Sequence, residues 1–190
     1  MRLMDDQAIR EQVAREHVLY EAHALWTSAL EHGLLHAAAT VAEGRARNAH
    51  LEACLVHARL LAEFLDGSPS NRYQDAHARY YSPSWSSTST LTQTERDWIN
   101  WKVMHLSAYR ARLSGGLDLV ETAERVFQVL GNFIGTIPDP TVRGWFSPVV
   151  HERAEFARER QRLESRGQLP RLVATTSPTY PTVAVTNIRS

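Results

Sequence analysis

The stretch RARNAHLEACLVHARLLAEFL, residues 45–65, decides the fold class of this chain. Together with residues 41–44, this stretch has mostly apolar or small side chains at intervals of three and four residues, which is the period of one face of an α-helix. The positions on this face are Val41, Asn48, Leu51, Leu55, Ala58, Ala62 and Leu65. The pattern therefore predicts a long helix from about residue 34 to residue 65, with Gly67 as its stop.

The segment before this helix has the same period. Residues 5–32 contain neither proline nor glycine, so nothing in them interrupts a helix. The expected core-facing stripe of this first helix is Ile9, Val13, His17, Tyr20 and Ala24. Gly33 is expected to end the helix, because glycine is common just after the last helical turn.

Two more helices are predicted after a long connection. Thr92 followed by Glu95 has the form of a capping box, in which each side chain bonds a backbone N–H at the start of a helix. A third helix over residues 93–113 and a fourth over residues 117–134 follow from this signal and from the helical period. The expected apolar stripe of the fourth helix is Val120, Ala123, Phe127, Leu130 and Ile134.

A fifth helix completes the predicted fold. Ser147 as N-cap with Pro148 in the first turn predicts its start, and its end is expected near Gly167. Most of it is charged, and its expected core contacts are Val149, Phe156 and Leu163. We therefore expect an all-α, antiparallel bundle of four to five helices over residues 1–167, followed by a polar, irregular tail over residues 168–190.

The connection over residues 67–92 is rich in aromatic side chains, which either bury against the bundle or anchor a protein partner. Tyr80, Tyr81 and Trp85 are the expected anchors. A homodimer is a second expectation, since packing against a symmetric copy would bury the apolar part of the half-polar helix stripes and stabilise them.

Composition restricts the classes of function. Basic and acidic residues both number 21, so no net charge attracts nucleic acid or a membrane surface. No apolar run is long enough to span a bilayer, and a single cysteine, Cys54, excludes an internal disulfide. The single cysteine favours a reducing compartment, so a cytoplasmic protein is expected. No metal or other cofactor is expected, because the spacings of histidine and acidic residues match no metal-binding motif.

Polar side chains on the second and third predicted helices are the candidate site residues. If the two helices face each other, these side chains could form a polar cleft. The ligand-binding candidates are Asn48, His57, Arg59, Asn100, Lys102 and Arg110. Arg45, His50 and His105 are the candidates for a catalytic role.

Three segments carry a resemblance to a known family: residues 45–65, NRYQDAHARYYSPSW (71–85) and INWKVMHLSAYR (99–110). They resemble a group of bacterial helical proteins similar to the HEPN superfamily. The resemblance implies a helical bundle and, in its nuclease members, an arginine followed within a few residues by a histidine. Arg45 and His50 fit that spacing, and the histidine would serve as general acid or base in RNA cleavage.

Two functions follow from the sequence. One is a non-catalytic interaction or scaffold module that binds a protein partner or a second copy of the chain. The other is a HEPN-like domain that binds RNA or a nucleotide, either with or without metal-independent ribonuclease activity. The first is the preferred interpretation, and catalysis is not expected.

Overall fold

The chain is seen in a computed structural model that describes residues 6–35, 40–67, 76–87, 89–100 and 117–169. Within these ranges every regular element is a helix, so the predicted all-α class is confirmed. In chain order the elements are α1 (Gln7–Gln12), a π-helical segment (Val13–Val18), α2 (Leu19–Leu34), α3 (Val41–Asp66), a 3₁₀ turn (Ala78–Tyr80), α4 (Gln93–Trp98), α5 (Leu119–Thr136), α6 (Pro140–Trp145) and α7 (Ser147–Ser165).

The first predicted helix is present, but its buried face is not the predicted one. His17 and Tyr20 are exposed, whereas the buried positions are Ala14, Val18, Ala22, Leu25 and Ala29. The buried positions keep the steps of three and four residues that the sequence predicts, but they lie about one position further along the helix. The period was therefore predicted correctly and the face of the helix was not.

Gly33 does not stop the first helix. The helix continues through Leu34, and Gly33 is buried inside its last turn. A Cβ at Gly33 would lie 2.5 Å from the Leu169 side chain, so the glycine allows the segment after α7 to pack closely. Leu169 and its neighbour are the described part of the predicted tail, and the rest of residues 168–190 lies outside the described residues.

The start of the second helix was also predicted wrongly. α3 begins at Val41 rather than near residue 34, because Thr40 and Glu43 form a capping box. The Glu43 backbone N–H donates to Thr40 Oγ1 at 3.2 Å, and the Thr40 N–H donates to Glu43 Oε2 at 2.9 Å. Val41 and Asn48 are exposed, so the predicted stripe is buried only in the second half of α3.

The capping box at Thr92 and Glu95 is confirmed at the start of α4. The predicted continuation of this helix to residue 113 lies outside the described residues beyond residue 100. α5 forms as expected, with the Asp118 side chain accepting the Glu121 N–H at its start.

The last part of the bundle contains a short helix, α6, that the five predicted helices do not include. α6 follows Asp139, whose carboxylate accepts the Thr141 N–H at 2.8 Å. Ser147 is the first residue of α7 and not its N-cap, since the chain enters α7 directly from α6 through Phe146. The three predicted core contacts of α7 are confirmed as its buried residues: Val149, Phe156 and Leu163.

The helices pack around one core. The start of α2 lies beside the second half of α3, where Glu21 contacts His57, and its end lies near Arg47 at the beginning of α3. These two helices are therefore antiparallel. α2 also contacts α5 and α7. No helix in the described ranges has the length and apolar character needed to cross a bilayer.

The aromatic connection is fastened to this core. The Trp85 indole donates to the Leu65 carbonyl at 2.9 Å, and the Tyr81 hydroxyl donates to the Arg10 carbonyl at 2.9 Å. Tyr81 and Trp85 are buried and Tyr80 is half-buried. The Tyr81 and Trp85 rings therefore contribute to the core, and of the three expected anchors only Tyr80 is partly exposed.

Candidate functional site

A cleft of about 960 Å³ lies along the second half of α3. Its apolar lining comes from four parts of the chain: Val13, Val18, Leu61, Leu91 and Ile99. Its polar lining includes Arg59, Glu63, Asp66, His77, Arg96 and Asn100. Polar and charged residues make up nearly half of the lining, so the cleft is an amphipathic surface rather than a mainly apolar pocket.

Helical distortions line two sides of this cleft. The π-helical segment contributes Val13 and Val18, and residues 99 and 100, at the end of α4, are also π-helical. Single π-helical turns inside α-helices are frequent at functional sites, because they shift side chains off the regular helical face. In this protein the two π-helical segments form two walls of the same cleft.

Most charged groups of the cleft already have partners in the protein. Arg59 Nε donates to Glu63 Oε1 at 2.6 Å. The Asp66 carboxylate accepts the Thr90 N–H at 2.9 Å and the Thr90 hydroxyl at 2.6 Å. Glu63 therefore has a charged partner, whereas the Asp66 carboxylate accepts from neutral groups of Thr90.

His77 is different. The side chain is 8% exposed, lines the cleft and stacks on the Tyr80 ring with centroids 6.1 Å apart. Neither Nδ1 nor Nε2 has a hydrogen-bond partner among the described residues. Buried polar groups are nearly always paired, so this imidazole is one of the few exceptions in the described part of the chain.

A second polar cluster lies at the other end of α3. His32 is 5% exposed, and its pKa is lowered to about 4 by burial and, in smaller part, by Arg47 and His50. A neutral imidazole at pH 7 follows from these surroundings. This cluster does not line the cleft.

The sequence-predicted site residues fall into two groups. Arg45 and Asn48 are exposed near the start of α3, and His50 is half-buried close to His32. None of these three side chains lines the cleft. The arginine and histidine that fit the HEPN spacing therefore lie away from the cavity.

The second group is at or near the cleft. Arg59 and Asn100 line it, and His57 lies next to it, with Nδ1 2.6 Å from Oε2 of the lining Glu21. The remaining candidates, Lys102, His105 and Arg110, lie outside the described residues. Three of the predicted ligand-binding residues are thus brought to one region of the fold.

Two features of the described residues concern thiol chemistry and metal binding. Cys54 is fully buried, and burial raises the pKa of its thiol, which keeps it in the unreactive protonated form. Across the described part of the chain no three histidine, cysteine or acidic side chains are grouped as metal ligands would be.

Sequence reasoning missed His77, Asp66 and Arg96. The sequence shows His77 only as one histidine in an aromatic connection, and Asp66 and Arg96 as helix-end charges. Their common position depends on contacts between distant segments. A helical period describes only residues close in sequence, so it does not predict those contacts.

Comparison with protein-family models finds no match. Comparisons with curated proteins and with solved structures also find none. The function is therefore inferred from the side chains of the cleft.

Proposed function

We propose that this protein is a non-catalytic binding module and that its ligand site is the cleft along the second half of α3. The observation that carries the proposal is the cavity itself. Its volume of about 960 Å³ is within the range of small-molecule pockets, and its lining offers both apolar and polar side chains to a ligand.

The burial of Cys54 supports binding rather than catalysis by a thiol. A nucleophile needs an adjacent base and access to its substrate. Cys54 is buried in the core, where burial keeps its thiol protonated. The bond between Glu21 and the His57 imidazole favours neither function, because a carboxylate also orients the histidine of many catalytic sites.

A fluorescent apolar probe tests this proposal. N-phenyl-1-naphthylamine is expected to bind the protein with increased emission, because the cleft removes its rings from water. Leu60 lines the cleft and is 42% exposed, so Leu60→Glu places a charge in the site without removing core packing. We expect this variant to weaken probe binding by about tenfold or more, since a charge in an apolar site is unfavourable.

Val150→Glu is the matched control. Val150 is also an exposed apolar residue on a helix, at 52%, but it does not line the cleft. The probe should bind this variant as it binds the unchanged protein. Equal weakening by both substitutions, or none by either, would place the probe elsewhere and refute the proposed site.

RNA binding and dimer formation remain predictions from the sequence. RNA affinity rests on unneutralised arginine and lysine side chains. In the described part of the chain, several arginines are instead paired with carboxylates, among them Arg59 with Glu63 and Arg125 with Glu95. Under the proposal, a mixed-sequence single-stranded RNA stays intact in the presence of the protein. Sedimentation of the unchanged protein measures the number of subunits.

A further inference from the structure

We infer that His32, Arg47 and His50 form a second site, separate from the cleft, and that this site binds a phosphate group. The inference is independent of the proposed function, because none of the three side chains lines the cleft. It follows from three features of the region where the end of α2 lies beside the beginning of α3: the positions of the side chains, their lack of partners, and the ligand chemistry that they share.

The first feature is the register of the two helices. α2 and α3 are antiparallel, and Glu21 of α2 lies beside His57 of α3, with Oε2 and Nδ1 2.6 Å apart. Because both helices rise equally per residue, His32 further along α2 is level with about residue 46 of α3. Arg47 is therefore beside it, and His50 follows within one helical turn.

All three side chains continue the buried stripes of their helices. On α2, His32 follows the buried Ser28 at a step of four residues. On α3, Arg47 and His50 precede the fully buried Cys54 at steps of three and four residues. The buried contact between α2 and α3 therefore ends in nitrogen-bearing side chains from both helices.

The second feature is the lack of partners. His32 is 5% exposed, yet its ring forms no hydrogen bond in the described part of the chain. Arg47 forms no ion pair among the same residues, and Glu43, about one turn earlier on α3, accepts from the Thr40 N–H instead. Nε of Arg47 is buried and unpaired, but its Nη atoms and the two His32 nitrogens are not among the buried unpaired atoms. These atoms therefore keep some accessible surface through which a small ligand can bond them.

The third feature is the kind of ligand that these groups favour. An arginine side chain is always protonated and carries only donors, in a planar fork that fits the oxygens of a carboxylate or a phosphate. Burial and, in smaller part, the charges of Arg47 and His50 lower the pKa of His32. An anion between these groups would offset the repulsion and accept hydrogen bonds from both helices, whereas a metal cation would add to the repulsion.

A phosphate group fits this site better than a carboxylate does. A carboxylate has two oxygens, and a single guanidinium can occupy both in a bidentate pair. A phosphate group has three or more acceptor oxygens and a charge of roughly −1.5 to −2 at pH 7. It can therefore bond side chains from α2 and α3 at the same time.

Inorganic phosphate, methyl phosphate and acetate test the inference at pH 7, with sodium chloride keeping the ionic strength constant. Long-range ¹H–¹⁵N spectra of the imidazole rings follow binding. Inorganic phosphate should shift the His32 and His50 signals along a saturable curve, and the signals of His23 and His151, which lie beside α7 carboxylates, should stay in place. Acetate should bind more weakly. Comparison with methyl phosphate tells whether the free ion or an ester of it is preferred.

Arg47→Gln removes the fixed charge of the site and breaks no hydrogen bond or ion pair in the described part of the chain. It should weaken phosphate binding about tenfold or more, the effect of losing a hydrogen bond from a charged donor. Arg45→Gln is the matched control, because it removes the same charge from an exposed arginine on the opposite side of α3. Its dissociation constant for phosphate should be nearly unchanged.

Several outcomes would overturn the inference. Equal weakening by Arg45→Gln and Arg47→Gln would show a general attraction of charge, and shifts that do not saturate would show an adventitious ion only. Tighter binding of acetate than of phosphate would identify a carboxylate site instead. If circular dichroism shows that Arg47→Gln is unfolded, His50→Gln replaces it and should also weaken binding. Saturating phosphate should leave the binding of N-phenyl-1-naphthylamine to the cleft unchanged, so each site is tested separately.

Discussion

His32 shows how one buried side chain sets a pH dependence. It is held in the core near Arg47 and His50, and burial together with these neighbours lowers its pKa to about 4. In the unfolded chain the same imidazole has a pKa near 6.5. As the pH falls, the unfolded state therefore takes up this proton before the folded state does, which favours unfolding.

We predict that stability is lost as the pH falls from about 6.5 to about 4. The contribution of neutral His32 to the free energy of unfolding is present in full above the pKa of the unfolded chain, and its upper limit is about 3 kcal/mol. His32→Gln removes the titrating group, so the free energy of unfolding should change less over this window. Urea unfolding followed by circular dichroism at several pH values measures the slope.

His151→Gln is the control for this prediction, because the His151 side chain is largely exposed on α7. Its substitution should leave the slope unchanged. If His32→Gln and the unchanged protein lose stability equally between pH 6.5 and pH 4, the slope arises from other groups and the interpretation of His32 is wrong.

At the scale of the element, the helix caps carry the clearest sequence signals. The Thr92–Glu95 box was predicted and is present, and the same T-x-x-E pattern marks Thr40 and Glu43 at the true start of α3. The helical period alone extends the predicted helix back beyond Val41, so it predicts a start that is too early. A cap is a local interaction, and local interactions can be predicted from sequence.

The two caps differ in the burial and in the hydrogen-bond partners of their glutamates. Glu95 is 2% exposed and accepts from the Thr122 hydroxyl and from Arg125. Burial alone would raise the pKa of Glu95, but the hydrogen bonds from Thr122 and Thr92, with Arg125, outweigh it and hold the pKa below its ordinary value. Glu43, in contrast, lies on an exposed turn. Only the cap at Thr92 is part of a buried network that joins α4 to α5.

We therefore predict unequal costs for the same substitution. Thr40→Ala should lower the free energy of unfolding by about 1 kcal/mol, the usual effect of losing an N-cap. Thr92→Ala should cost about 2 to 3 kcal/mol, because it also leaves the buried Glu95 carboxylate with fewer donors. Thermal and urea unfolding measure both values. Thr94→Ala, at an exposed position in the same helix, is the control. Equal losses at the two caps would contradict the network.

The buried face of the first helix marks the limit of prediction at this scale. A regular 3.6-residue period placed His17 and Tyr20 in the core, but Ala14 and Val18 are buried there instead. Which register a helix adopts depends on the surfaces packed against it, and these come from α3 and the aromatic connection. The sequence of the helix alone does not contain that information.

At the scale of the whole molecule, the candidate site could be predicted only in part. Arg59 and Asn100 were chosen because polar residues on facing helices converge, and both line the cleft. His77 reaches the same cavity from the connection after α3, against the backbone of Gly67. That meeting is a tertiary contact between irregular segments, so helical periodicity could not reveal it.

The docking of α7 provides a test of how the whole bundle is held together. This helix buries three apolar side chains, as expected from its sequence, and it also uses a polar contact that was not expected. Glu152 Oε2 accepts from the Trp26 indole at 2.7 Å and lies 2.8 Å from His23 Nδ1. Trp26 packs near Phe156, so the carboxylate fixes α2 and α7 in register beside their apolar contact.

We predict that Glu152→Ala lowers the free energy of unfolding by about 1 to 3 kcal/mol, because it leaves a partly buried indole N–H without an acceptor. Glu155→Ala is the matched control, since Glu155 is on the same helix but pairs with Arg158 and His151 at the surface. Surface pairs of this kind contribute about 0 to 1 kcal/mol. Near-ultraviolet circular dichroism of the tryptophans should change for Glu152→Ala and not for Glu155→Ala. If the two variants are equally stable and keep the same spectrum, the apolar contacts of α7 suffice for docking, and the carboxylate does not set the register of the bundle.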